Sequence, residues 1–390
     1  MNRFLIICKQ FWPMSGETEL LAGAFVDQLG RKSRTLDLVT WRMIRQWPEQ
    51  FQYGSCSVIR LPQSQKSSWS PAALGYHGRN RWHRSLQRWV TSHASRYDAA
   101  FVFEFDDDGL APTVIACRAG LPAVSRILQK QAGGISRMTT RELRGLQKYP
   151  VAFVTPDQRM LMDPLTDQNG PLQGIRLIAD GVPRTSGVLN QEAARAVLGR
   201  VHPIFQLSDG ALLAVSGCDL TFESGVFSLV RAWRRVSAQH PDARLWLTGS
   251  GRNAPELFQR ICDLDLQHSV LLTGNFDDVS DLLAAADVYI MPGSGESAGW
   301  YSGMAGQLGL TVIHHRDSSV AESSAARVNS ILFDDDSRPI DLVVSRWASA
   351  TRSRSPDQRP VPNPADGPPP SISTMVDQYL ALLERPRVKR

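Results

Sequence analysis

Five short apolar runs recur in the second half of the chain: LLAVSG (212–217), RLWLTGSG (244–251), VLLTG (270–274), DVYIMPG (287–293) and TVIHH (311–315). Amphipathic stretches separate them, and their spacing predicts helices over 225–238, 255–264, 279–286 and 301–308. The first half follows the same rule. FLIIC (4–8), TLDLVT (35–40), AAFVFEF (99–105), PAVSRI (122–127) and VAFVT (151–155) read as buried strands, with helices over 18–29 and from about Leu110. Strands that alternate with helices in this way form parallel, doubly wound sheets, so an α/β protein with two such units is expected.

With 390 residues the chain is long enough for two cores. IRLIADGVPRTSG (175–187) reads as the crossing between them, giving an N-terminal domain over 1–180 and a second over 181–355. Seven prolines fall in 356–370, so 356–372 reads as an extended linker. Ser373 is placed to cap a last helix, Thr374–Glu384, within a 373–390 segment expected to pack back on the first domain. No repeat is visible beyond the two similar halves.

Several classes drop out on composition. No run of 18 apolar residues exists, and the N-terminal apolar core, Phe4 to Cys8, reads as a strand rather than a signal peptide. Five cysteines without C-x-x-C spacing fit a reducing, cytoplasmic setting and argue against disulfides or zinc. Net charge is +5, but no Asp or Glu occurs from Gln50 to Tyr97, where seven Lys and Arg fall. That basic stretch points to anionic partners. Within it, RWHRSLQRWV (81–90) sets Trp82, Leu86 and Trp89 on one helical face beside Arg81, Arg84 and Arg88. The pattern suits an anionic membrane surface, and equally a helix burying its tryptophans on the sheet. No nucleic-acid partner is expected.

Gly295-Glu296-Ser297-Ala298-Gly299 matches G-x-S-x-G, the turn that exposes a nucleophilic serine. The order Ser, then Asp or Glu, then His cannot be completed. Only His314 and His315 follow Ser297, and 298–313 holds no carboxylate. A serine without a base is a poor nucleophile. The same loop reads better as one end of a phosphate-sugar site. In doubly wound sheets ligands sit at the carboxyl ends of strands, where glycines admit the backbone and helix N-termini favour anions. Gly249-Ser250-Gly251 ends one strand, and Gly293–Gly299, carrying Glu296, ends another. A nicotinamide fingerprint is disfavoured, because no third glycine follows at G-x-G-x-x-G spacing.

Taken in order, the segments resemble the retaining GT-B glycosyltransferases of family 4. FWPMSGETELLAGAFVDQL (11–29) is similar to that family's P-x-x-G-G-x-E loop and first helix, with Ser15-Gly16 as the glycine pair. IADGV (178–182) resembles its P-N-G-V motif, and 244–299 follows its G-x-G loop and A-A-D-x-x-x-x-P-S-x-x-E-x-x-G run. The resemblance implies a GT-B fold, two Rossmann-like doubly wound domains facing a cleft. It also implies sugar transfer from a nucleoside-diphosphate sugar to a carbohydrate or lipid-linked acceptor with retention, and no cofactor or metal. Donor phosphates would lie on Gly249, Ser250 and Gly251, and the donor loop would be Gly295, Ser297 and Gly299 with Glu296 on the sugar. The acceptor side would hold Ser15, Gly16 and Asp106. The protein would be cytoplasmic, and the acid-free stretch 50–97 with its Arg/Trp helix suits a peripheral place on the inner face of the membrane.

Three positions depart from that family's pattern. Met304 stands where a second glutamate would bind ribose. Cys218-Asp219 and Ser224, in CDLTFESG, stand where an Arg and a Lys would neutralise the diphosphate. Ser125-Arg126 ends a strand that often carries a histidine. Removing one group that stabilises developing anionic charge costs about 10²–10³ in rate. Arg252 and Arg126 are the candidate replacement cations. The alternative is a degenerate glycosyltransferase kept as a binding or scaffold protein. FEFDDDG (103–109) resembles a metal-binding D-x-D, but reads as acids at a helix start.

Overall fold

The computed structural model describes residues 3–14, 16–33, 35–61, 71–103, 110–128, 145–146, 148–162, 172, 174–183, 189–274, 276, 279–293, 299–316, 329–352 and 370–384. The chain divides into two compact units. The first comprises 1–12, 21–180 and 372–390, and the second 13–20 and 181–371.

In the first unit, β1 (Arg3–Cys8), β2 (Thr35–Trp41), β3 (Gln50–Tyr53), β4 (Cys56–Leu61), β5 (Ala99–Phe103), β6 (Ala123–Arg126), β7 (Val151–Thr155) and β8 (Arg176–Leu177) form one sheet. Their order is β3-β4-β2-β1-β5-β6-β7-β8. All pairings are parallel except the β3–β4 hairpin. That antiparallel edge is absent from the sequence reading, although QFQY and CSVIRL are separated by only Gly54-Ser55, a two-residue hairpin connection.

Residues alternate across β1, so each face of the strand meets a different layer. Leu5 and Ile7 pack with Trp82, Leu86 and Val90 of α2 (Pro71–His93). On aromatic contacts, Phe4 meets Phe101, and Phe101 meets Phe25 of α1 (Glu17–Gly30) and Tyr379 of α10 (Ile372–Glu384). Between them in chain order lie α3 (Ala111–Arg118), α4 (Gln191–Val201), α5 (Val226–Gln239), α6 (Ala254–Asp263), α7 (Ser280–Ala285), α8 (Trp300–Gln307) and α9 (Ile340–Arg352).

The structure favours one of two open readings and corrects one expectation. Trp82 is 1% exposed and belongs to the sheet-facing core, while half-buried Trp89 stacks on His93 at 4.4 Å. The tryptophans of 81–90 therefore cover the sheet instead of facing lipid, because burying a large ring against β1 and β5 removes more apolar surface from water than an exposed face could. Arg84 and Arg88 remain exposed. Ser373 is not the cap of the last helix, which begins at Ile372; its hydroxyl accepts from Gln28 Nε2 at 3.0 Å. Among the described residues no helix is long and apolar enough to cross a membrane.

The second unit holds β9 (Leu213–Gly217), β10 (Arg244–Thr248), β11 (Val270–Gly274), β12 (Val288–Met291), β13 (Thr311–His315) and β14 (Ser330–Phe333), ordered β11-β10-β9-β12-β13-β14 and wholly parallel. In chain order this is 3-2-1-4-5-6, the dinucleotide-fold arrangement. Helix α5 repeats apolar residues at helical spacing and buries Leu229, Val230, Trp233 and Val236, with Val344 and Trp347 of α9 in the same cluster. β14, α4 and α9 are additions to the sequence reading. The fold is α/β, two parallel-sheet Rossmann-like units, as expected from the strand–helix alternation.

Candidate functional site at the strand-order reversal

In the second sheet, connections run one way from β9 through β10 to β11 and the other way from β12 through β13 to β14. Loops leaving adjacent strands at such a reversal diverge and leave a crevice at the carboxyl ends. Here those segments are 218–225 after β9 and, after β12, the stretch that opens with Pro292 and Gly293, with 249–253 after β10 alongside.

Backbone hydrogen bonds tie these loops together. Cys218 N–H donates to Thr248 O (3.2 Å), Leu220 N–H to Ser250 O (3.0 Å) and Asn253 N–H to Leu220 O (3.1 Å). Gly249 N–H donates to Gly274 O (3.2 Å), which adds the end of β11. Close approach requires the glycines. Gly249 has φ 126°, and a Cβ there would fall on the Cys218 carbonyl oxygen. Gly225, at φ 78°, would place a Cβ 2.7 Å from the Pro292 carbonyl carbon, so the β9 loop lies directly on the β12 loop.

Gly249, Ser250, Gly251 and Arg252 follow the carboxyl end of β10, while Gly299 precedes α8 and Met304 lies within it. Met304 is 2% exposed within α8, alongside buried Trp300 and Tyr301. Arg252 is paired with Glu223 in solvent, the two side chains 69% and 67% exposed. Such an exposed pair contributes little, and an arriving anion competes for the guanidinium at small cost. Arg126 belongs to the first unit. It is buried, and its Nε and Nη2 donate to Asp180 at 2.9 and 2.5 Å. Ser15, Asp106, Gly295, Glu296 and Ser297 lie outside the described residues. His314, a histidine that follows Ser297, is buried in β13 with Nε2 on Ser330 Oγ.

Three groups at this edge escaped the sequence reading. Glu17, counted with the second unit, accepts the Tyr301 N–H on Oε1 at 3.3 Å. Tyr289 donates its hydroxyl to Gly217 O at 2.9 Å. The Tyr301 ring covers Gly217, 2.7 Å from where a Cβ would stand. The one sequence signal was position: Tyr301 falls in the first turn of the helix after Gly299.

Cys218 is held in its thiol form. Burial pushes its pKa from 9.0 to about 12, and Asp219 and Glu17 add to the rise against hydrogen bonds with Ser216 and Ser224. At pH 8 the folded chain should therefore alkylate at Cys218 about a thousandfold more slowly than the unfolded chain, because only the thiolate reacts. Peptide mass spectrometry after iodoacetamide, with and without urea, reads this ratio. Since the unfolded thiol loses its proton first, this group lowers stability as pH rises from 9 towards 12.

The two Rossmann-like units, the second with its loops gathered at the reversal point, have the GT-B fold, the architecture of a large class of glycosyltransferases. Residues 211–344 match the family model described as "Glycosyl transferases group 1". No curated protein matches the chain by sequence. Solved structures match over the whole length. The Anabaena protein HepE, in complex with UDP and glucose, aligns with TM-score 0.68 and 14% identity over 98% of this chain and 99% of its own. The catalytic domain of starch synthase IV from Arabidopsis thaliana, bound to ADP and acarbose, gives 0.70 and 12% over 98% of each. WaaG, a glycosyltransferase of lipopolysaccharide biosynthesis, gives 0.65 and 14% over 99% and 96%.

Proposed function

We propose that the chain is a glycosyltransferase that moves a sugar from a nucleoside-diphosphate sugar to a carbohydrate or lipid-linked acceptor, with retention of configuration. The observation that carries the reading is the coincidence of the β9, β10 and β12 loops at the strand-order reversal inside the region that matches the group 1 model. Full-length likeness to proteins solved with UDP and glucose or with ADP supports it. In this reading the donor phosphates rest on Gly249, Ser250 and Gly251, Glu296 holds the sugar hydroxyls, and Arg252, drawn from Glu223, offsets charge on the leaving diphosphate. No further cofactor is involved. A lipid-linked acceptor would bring the protein to the cytoplasmic face of a membrane, where exposed Arg84 and Arg88 favour anionic headgroups.

Thermal unfolding with millimolar UDP-, ADP- and GDP-sugars tests the reading. A ligand that binds only the folded chain adds about 2.7 kcal/mol at a hundredfold excess over Kd, enough to raise Tm clearly. Glu296→Ala should reduce the preference for sugar nucleotide over bare nucleotide while leaving nucleotide affinity in place. The scaffold reading draws on Asp219 and Ser224 in the β9 loop and on the burial of Met304. It predicts no shift with any nucleotide sugar.

A further inference from the structure

The donor edge of the second unit carries a carboxylate at a place where an anionic ligand would be held. Glu17 meets three parts of that edge. Its Oε1 accepts the N–H of Tyr301, in the first turn of α8 immediately after Gly299. Its charge acts on the Cys218 thiol at the end of β9 and on the Tyr289 phenol of β12, in each case raising the proton affinity. The two strands so flanked, β9 and β12, are the pair at which the strand order reverses.

A second carboxylate acts on the same thiol. Asp219 also raises the Cys218 thiol, and Arg252, the cation of the β10 loop, is engaged by Glu223. The Tyr301 ring lies over Gly217 and the Tyr289 hydroxyl bonds the Gly217 carbonyl. Together they fix the head of α8 against the end of β9, so the N–H that Glu17 accepts is held in place. Helix-head amides and the helix dipole favour negative charge, and here a side chain of the protein supplies it.

We propose that Glu17 is a resident anion of the donor site, which a nucleotide's diphosphate must displace or share space with in order to bind. The proposal rests on the nucleotide-sugar reading and names a regulator of that same site. Its consequence is selective. An uncharged nucleoside feels little of Glu17, whereas a diphosphate meets both the occupied amide and a like charge, so the free diphosphate product is held loosely.

Glu17→Gln keeps an acceptor for the Tyr301 amide and removes only the charge, so the fold should tolerate it. Calorimetry on the full chain, with UDP, with a UDP-sugar and with uridine, compares wild type, Glu17→Gln and a remote control, Glu192→Gln on α4. The expected result is UDP binding tightened about tenfold or more in Glu17→Gln, uridine unchanged, and the control equal to wild type. Equal UDP affinity in wild type and Glu17→Gln overturns the inference and leaves the transferase reading standing. Weaker UDP-sugar binding in Glu17→Gln also overturns it, since Glu17 would then be a donor ligand. No binding of UDP or UDP-sugar by either folded protein defeats the inference, and the transferase reading falls with it only where ADP- and GDP-sugars also give no thermal shift.

Discussion

Arg126→Met alone should lower the stability of the first unit by about 3–5 kcal/mol, while the pair Arg126→Met/Asp180→Leu should recover most of that loss. The two side chains are 0% and 3% exposed and meet through two hydrogen bonds, so neither charge has water to fall back on. Removing one leaves the other buried and uncompensated, whereas an apolar pair of similar volume needs no compensation. Burial holds the Asp180 carboxyl above its ordinary value even against the opposing pull of Arg126. In Arg126→Met only the upward push remains. The folded state then holds a proton that the unfolded chain releases near pH 4, so stability falls as pH rises from there. The defect should be smallest near pH 4 and grow towards neutrality. Urea titrations of the three proteins at pH 4.5 and 7 read both effects. An Arg126→Met protein as stable as wild type at pH 7 would contradict the buried pairing.

Gly249→Ala should abolish nucleotide-sugar binding and destabilise the second unit by more than the about 1–3 kcal/mol that an unfavourable backbone conformation costs on its own. Two effects add at this position. The residue is held at φ 126°, and its Cβ would land on the Cys218 carbonyl oxygen, which is backbone and cannot rotate aside. To make room, the β9 loop must part from the β10 loop, breaking the Cys218–Thr248 and Leu220–Ser250 bonds that assemble the site. Gly210→Ala separates strain from clash. Gly210 has φ 71° but nothing within 4 Å of a Cβ, so it should show the backbone cost alone and keep ligand binding. Thermal shift with and without UDP-sugar distinguishes them. Retained binding in Gly249→Ala would mean that the loop junction does not form the site.

Much of the fold was legible because strand and helix formation are written in local periodicity. VLLTG and TVIHH are strands β11 and β13 over the same residues, and Val226–Gln239 lies one residue from the expected 225–238. α9 was missed although Ile340, Val343, Val344, Trp347 and Ala348 repeat at helical spacing. The β3–β4 hairpin was missed for a different reason. Both strands are short, and β3 alternates between half-buried and exposed residues, with little apolar signal.

The site divides along the same line. Glycines that end strands mark a ligand edge in the sequence itself, because a close backbone approach leaves no room for a side chain whatever the partner. Gly249–Gly251 and Gly299 could therefore be placed without coordinates. What charges do at that edge could not. Arg126, a candidate for offsetting a diphosphate, finds Asp180 54 residues further on, and Glu17 reaches an amide 284 residues away. Trp82 and Arg84 share one helix, yet the first is core and the second solvent. A side chain's periodicity is set by its neighbours in the chain, whereas its electrostatic partner is set by which loops the sheet order brings together. That order, 3-2-1-4-5-6 in the second unit, is a property of the packed sheet alone.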